Sequence, residues 1–82
     1  MDITRATELT SEVFDVVRDM FEYHPWNDEQ KNHGVVVRKA LEDAFLEVLK
    51  HVPSCPDRSA ALRKIREARM DCNSAITHNG KY

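Results

Sequence analysis

The sequence predicts an all-α fold, a small antiparallel helical hairpin with an additional N-terminal helix. Three segments place apolar residues at three- and four-residue steps, and two proline-containing breaks separate them. The β-branched run Val35-Val36-Val37 is too short by itself to predict a strand. Eighty-two residues make a single domain, 1–82. Because so short a chain buries a small share of its surface, we expect it to be oligomeric.

The first helix is predicted over residues 5–23. Its apolar positions include Leu9 and Val13, and its outer face is strongly acidic. Either Thr4 or Thr10 could cap it, and the pattern fits one helix or two short ones.

The second helix is predicted over residues 27–51, after a break with capping signals. Pro25 disfavours the α conformation at the residue before it, so the first helix must stop there. Asn27 or Asp28 can cap the next helix with a side-chain oxygen. Gln30, three residues after Asn27, fits a capping box.

The same break carries two aromatic rings, Tyr23 and Trp26, beside the positive end of a helix. Flat rings next to free N–H groups suit a ligand with flat bases and phosphates. The alternative is a helix corner whose aromatic residues plug the core. Gly34, inside the second helix, fits either close packing of another helix or access of a ligand to the backbone.

The third helix is predicted over residues 57–77, after a second break that contains Pro53 and Pro56. Ser54 or Asp57 could cap it. Because this helix and the second are long and joined by a short loop, they should pair antiparallel. The third helix is basic, with Arg58, Arg63, Lys64, Arg66 and Arg69.

Composition and motif spacing narrow the function classes. The net charge of −2 argues against a general polyanion binder, and no apolar run approaches the length of a membrane span. The polar, acidic start lacks the features of a signal peptide. The two cysteines fit reduced thiols in a cytosol. The four histidines and two cysteines do not stand at metal-ligand spacings, and no nucleophile motif or phosphate loop is present. We therefore expect no metal, no cofactor and no enzymatic activity.

Arg38 is the candidate anion-binding residue. It lies fifteen residues beyond Tyr23 on the second helix, so the two meet only if the first helix folds back or a second copy supplies one of them. A ring from one chain and a guanidinium from another would form a composite pocket for a base and its phosphate. The alternative for Arg38 is a surface ion pair with Glu42, four residues on.

Several residues, in order and at characteristic spacing, resemble a family of small phage proteins, the anti-CBASS cyclic-nucleotide sponges, together with the related anti-Thoeris sponges. The resemblance runs from about residue 20 to the C-terminus, some three-quarters of the chain. It is carried by Tyr23-His24-Pro25, Gln30, Val37-Arg38-Lys39-Ala40, Pro56-Asp57-Arg58-Ser59-Ala60-Ala61-Leu62, Ala68-Arg69-Met70, Asn73, Ala75 and Ile76.

The resemblance implies a homohexamer, a trimer of dimers, in the cytoplasm of an infected bacterial host. Such proteins counter host defence by sequestering cyclic dinucleotides, such as cyclic GMP-AMP, without degrading them. By position, Tyr23 would stack on a base and Arg38 would contact phosphate, with Pro25 and Trp26 beside them. A second site for cyclic trinucleotides would fall at His78, where the family has a basic residue. Asp71-Cys72 also departs from the family's aromatic-and-small pair.

Two other classes of function stay open. The basic third helix could bind nucleic acid or another partner, although the net charge argues against a nucleic-acid polymer. The chain could also be a structural hairpin without a ligand.

Overall fold

The computed structural model describes residues 3–82, which form helices and loops without a strand. A short 3₁₀ helix, Ile3–Arg5, precedes three α-helices. These are α1 (Ser11–Phe21), α2 (Asp28–His51) and α3 (Pro56–Thr77). The predicted all-α class, a helical hairpin with an additional N-terminal helix, is confirmed.

The first helix is shorter than the predicted span of residues 5–23. It begins at Ser11 because Thr10 is extended (φ −78°, ψ 166°) and its hydroxyl accepts the N–H of Val13 at 3.2 Å. The segment before it contains only the 3₁₀ helix, so the prediction of a helix from residue 5 was wrong. At the other end, Glu22 is extended, which ends α1 one turn before Pro25.

The hairpin of α2 and α3 is the main tertiary contact of the described chain. Leu41, Phe45 and Ile65 lie together between the two helices, and all three are half-buried. Among residues 3–82, no helix is long and apolar enough to cross a membrane.

The third helix has a cap that the sequence did not predict. Pro56 occupies the first turn, where its missing N–H is harmless. The residue before it, Cys55, is therefore the cap, and its sulfur accepts the N–H of Arg58 at 3.4 Å. The predicted caps, Ser54 and Asp57, lie one residue before and two residues after Cys55, so neither occupies the cap position.

The described chain is flat and has a thin core. Its principal extents are 50 × 33 × 16 Å, and its radius of gyration is 16.8 Å, against about 12 Å expected for a compact domain of this length. Val13, at 5% exposure, is the one apolar side chain within residues 3–82 that is buried. Large apolar side chains elsewhere are exposed, including Leu9, Phe21, Val36 and Met70.

Candidate functional site

The break between α1 and α2 is rigidly built. Asn27 caps α2, its side chain accepting the N–H of Gln30 at 2.8 Å, while the Gln30 side chain accepts the N–H of Asn27 at 2.9 Å. The predicted capping box is therefore confirmed. The amide group of Gln30 also donates to the main-chain oxygen of Ile76 at 2.9 Å, which ties the start of α2 to the end of α3.

Trp26 is the side chain that locks this corner. Its indole N–H donates to the Thr77 hydroxyl at 2.7 Å, and that hydroxyl donates to the Asn73 carbonyl at 2.8 Å. The ring lies directly on Gly34, where a Cβ would stand 2.2 Å from Cζ3 of Trp26. Gly34 therefore serves close packing, although its neighbour is the Trp26 side chain rather than a helix.

Tyr23 is placed differently from Trp26. Its side chain is 88% exposed, and its hydroxyl has no hydrogen-bond partner among residues 3–82. It lies at the edge of a hollow of about 460 Å³ whose lining also includes Pro25, Trp26 and His78. The two interpretations of the break therefore apply to different residues. Trp26 fills the corner, whereas the ring of Tyr23 is exposed to solvent.

Arg38 lines a second hollow, of about 380 Å³, on the other side of Trp26. Lys31 and Arg69 also line it, and no carboxylate does. The ion pair between Arg38 and Glu42 that the spacing allowed is not formed, and no other carboxylate of residues 3–82 lies within 4.0 Å of this guanidinium. The described chain therefore offers a hollow with three cations around one indole ring.

Tyr23 and Arg38 do not line a common hollow within one chain. Tyr23 lines the hollow at the end of α1, and Trp26 forms part of its wall and of the hollow that Arg38 shares with Lys31. Arg38 also lines a further hollow, together with Glu42.

His78, the candidate second site, belongs to a polar cluster at the end of α3. Its ring packs edge-on against His24 and Tyr82, with centroids 5.2 and 5.1 Å away. Asp19 of α1 receives hydrogen bonds from the Tyr82 hydroxyl and the Lys81 ammonium on the same carboxylate oxygen, Oδ2. The C-terminal residues therefore clamp α1 to the hairpin.

The clamp shifts two protonation equilibria. The hydrogen bond from Tyr82, helped by Lys81, holds the pKa of Asp19 below its ordinary value. The same carboxylate raises the pKa of Tyr82 to about 12, because the phenol must keep its proton to donate.

The sequence spacing missed this cluster. Asp19, His24 and His78 each present one metal-ligating atom, and these atoms lie within 4.8 Å of one another. His78 comes from the far end of the chain, so no local motif signals it. Only the pairing of α2 with α3, which returns the C-terminus to the break, could have suggested the juxtaposition.

The basic residues of α3 are spread along the hairpin. Arg58 turns back and donates to the Val52 carbonyl at 3.2 Å. Arg66 lines two further hollows of the hairpin. It shares one of them with Arg69 and the other with Arg63.

No known protein family matches the chain, and neither a curated protein nor a solved structure is significantly similar to it.

Proposed function

We propose that the protein binds cyclic dinucleotides, such as cyclic GMP-AMP, and sequesters them without chemical change. This is the function of the anti-CBASS sponges that the sequence resembles. In that role it would act in the cytoplasm of an infected bacterial host, by keeping a second messenger from its effector.

The observation that carries the proposal is that the two side chains expected to hold the ligand are open to solvent and have no partner in the described chain. Tyr23 is 88% exposed at a rigid break, and Arg38 has no carboxylate partner in the described chain. Base stacking needs an open ring, and phosphate pairing needs a free guanidinium.

The surroundings of Arg38 suit an anion that bears flat bases. Lys31 and Arg69 add two cations to the same hollow, and Trp26 supplies an aromatic wall. The volume of about 380 Å³ lies within the range of about 300–1,000 Å³ that is usual for small-molecule sites. Charge and shape therefore favour a compact dianion over a neutral ligand.

A second copy would complete the site. The accessible surface of the chain is 6827 Å², against about 5,000 Å² expected for a folded monomer of 9.5 kDa. The excess of about 1,800 Å² is more than the roughly 800 Å² that one partner buries in a standard interface. This surplus supports a chain with more than one neighbour, as in the hexamer that the resemblance implies.

Calorimetric titration with cyclic GMP-AMP tests the proposal. Tyr23→Ala removes the stack and should weaken binding by about 1–3 kcal/mol, or roughly 5- to 160-fold. Arg38→Ala should weaken it comparably, whereas Tyr23→Phe should bind like the parent because the ring remains. Arg63→Ala is the matched control, since Arg63 is an exposed arginine that lines a different hollow.

Equal binding by the parent, Tyr23→Ala and Arg38→Ala would contradict the site. Sedimentation equilibrium provides the second check, because a mass of one protomer, 9.5 kDa, would rule out a site shared between copies. A cyclic trinucleotide belongs in the same titration series, with His78→Ala as the variant that addresses the second candidate site.

Binding of duplex DNA by α3 is the competing proposal. It is favoured by the exposure of Arg63, Lys64, Arg66 and Arg69 along one helix. Affinity for an arbitrary duplex that falls steeply with salt would support it, and a parent protein that prefers the cyclic dinucleotide at every salt concentration would refute it.

A further inference from the structure

We propose that Asp19, His24 and His78 form a binding site for a divalent transition-metal ion, of which Zn²⁺ is the model. The site would be structural, joining the end of α1 to the end of α3. It is independent of the cyclic dinucleotide proposal, because it uses neither Tyr23 nor Arg38; it shares only His78 with the candidate second site for a cyclic trinucleotide.

The ligand set has the right chemistry. Two imidazoles and one carboxylate are the usual donors to Zn²⁺ in sites with three protein ligands, and water or another group takes the fourth position. One donor atom from each of the three residues lies within 4.8 Å of the others. Donors about 2.1 Å from a tetrahedral ion are about 3.4 Å apart, so small side-chain rotations would close the set.

The two carboxylate oxygens of Asp19 have different contacts. Oδ2 receives the Tyr82 hydroxyl and the Lys81 ammonium. Oδ1 instead faces His24, 3.6 Å from Nε2 of that ring, and it has no hydrogen-bond donor among the described residues. One oxygen is thus held by the C-terminal residues while the other is directed towards the histidines. Ligating carboxylates commonly have such outer partners.

The imidazole of His24 is similarly held. Its Nε2 lies 2.6 Å from the main-chain oxygen of Asp19. When that nitrogen carries the proton, the bond fixes the ring and Nδ1 holds the lone pair; a metal at Nε2, the nitrogen that Oδ1 of Asp19 faces, would instead take the place of this bond. His78 faces this ring edge-on and is itself packed against Tyr82. Both imidazoles are therefore positioned by contacts outside the donor set.

At this location an ion would have a structural role, because it would join α1 to the end of α3. Within residues 3–82, the hydrogen bonds that join α1 to the break and to the C-terminal residues all involve Asp19, which contacts His24, Lys81 and Tyr82. A bound ion would add coordinate bonds from Oδ1 of Asp19 to the histidines, beside the hydrogen bonds that Oδ2 receives from Tyr82 and Lys81. It would thus fix α1, and the break that carries Tyr23, against the end of α3.

Zinc titration by calorimetry and thermal melting in Zn²⁺ against EDTA test the site. The parent should bind one ion per chain and melt at a higher temperature with Zn²⁺, since a ligand of the native state stabilises it by mass action. His24→Gln and His78→Gln should each abolish the binding and the thermal shift. Tyr82→Phe, which removes an outer partner of Asp19, should weaken affinity by about 10- to 100-fold.

The matched control is the double variant His33→Gln/His51→Gln. Both histidines are exposed and pair with a glutamate four residues earlier, so their loss should leave binding unchanged. A second control, Cys55→Ser/Cys72→Ser, removes the two free thiols and should also retain the ion. Circular dichroism in EDTA separates a lost ligand from a lost fold.

The proposal is overturned by absence of binding to the parent. It is also overturned by binding that survives both His24→Gln and His78→Gln, or that disappears in either control. As a site-specific readout, Co²⁺ should shift or broaden the imidazole NMR signals of His24 and His78 and leave those of His33 and His51 unperturbed. Uniform broadening of all four would refute the assignment.

Discussion

Gly34→Ala is predicted to destabilise the protein, although the same change stabilises most exposed helix interiors. A Cβ at this position would lie 2.2 Å from Cζ3 and 2.7 Å from Cη2 of Trp26. The indole cannot swing away freely, because its N–H is held by the Thr77 hydroxyl at 2.7 Å. The added methyl must therefore overpack the corner, and the displaced indole also loses that hydrogen bond.

The magnitude follows from three opposed effects. Replacing glycine by alanine inside a helix gains about 1 kcal/mol. Overpacking costs about 1–3 kcal/mol, and losing a hydrogen bond costs about 0.5–1.5 kcal/mol. The net is a loss of about 2 kcal/mol, which for a domain of this size lowers the melting temperature by roughly 8–16 °C.

Urea denaturation followed by circular dichroism, at one fixed protein concentration, measures the effect. The informative comparison is a cycle of four proteins: the parent, Gly34→Ala, Trp26→Ala and the double variant. With the indole removed, Gly34→Ala should stabilise by about 1 kcal/mol, since only the helix preference remains. If Gly34→Ala stabilises the parent as well, the packing argument for Trp26 is refuted.

Three further perturbations test other contacts. Spectrophotometric titration should show Tyr82 ionising near pH 12, and Asp19→Asn should lower the pKa of Tyr82 towards the ordinary value. The stabilisation from the neutral phenol is present below the unfolded pKa of tyrosine and is lost as the pH rises through about 12. The stabilisation from ionised Asp19, whose pKa is depressed, is lost as the pH falls below about 4. Thr10→Ala should destabilise α1 by about 1 kcal/mol, measured as roughly fivefold faster amide exchange in that helix, and unchanged exchange would show that the cap contributes nothing. Gln30→Ala should cost about 1–3 kcal/mol in urea denaturation, through loss of the hydrogen bonds to Asn27 and Ile76 and of the longer one to Asn79. Gln30→Glu keeps the capping acceptor and should lose only the bonds that the amide group donates to Ile76 and Asn79, so equal losses in the two variants would contradict this division.

Local signals in the sequence predicted local structure well. The capping box of Asn27 and Gln30 needs only residues three apart and an extended cap, so it could be predicted without knowledge of the tertiary fold. The start of α1 was narrowed only to the two caps Thr4 and Thr10, because the apolar period runs on through Leu9, which is 77% exposed; the structure shows that Thr10 is the cap. Periodicity marks a face, but a threonine that captures a backbone N–H decides where the helix begins.

Contacts between distant parts of the chain escaped prediction. The packing of Trp26 on Gly34 requires the break to turn the indole back along α2, and its anchor at Thr77 is supplied by the other end of the hairpin. The grouping of Asp19 with His24 and His78 likewise depends on the C-terminus returning to α1. For Arg38, the spacing suggested an ion pair with Glu42, but spacing does not show whether two exposed side chains meet.

The position of Trp26 connects the fold to the proposed function. Its indole is fixed on both sides, by Gly34 beneath and Thr77 beside it, and it forms a wall of the hollow of Tyr23 and of the hollow of Arg38. Within a single chain, the two hollows therefore lie at fixed positions relative to each other, and the motion of one side chain does not bring them together. A ligand that needs both a free ring and a free guanidinium must then take one of them from another copy. The flat shape and surplus surface leave room for that copy, so Trp26→Ala, which loosens this corner and removes the wall of both hollows, should impair the proposed shared-site binding.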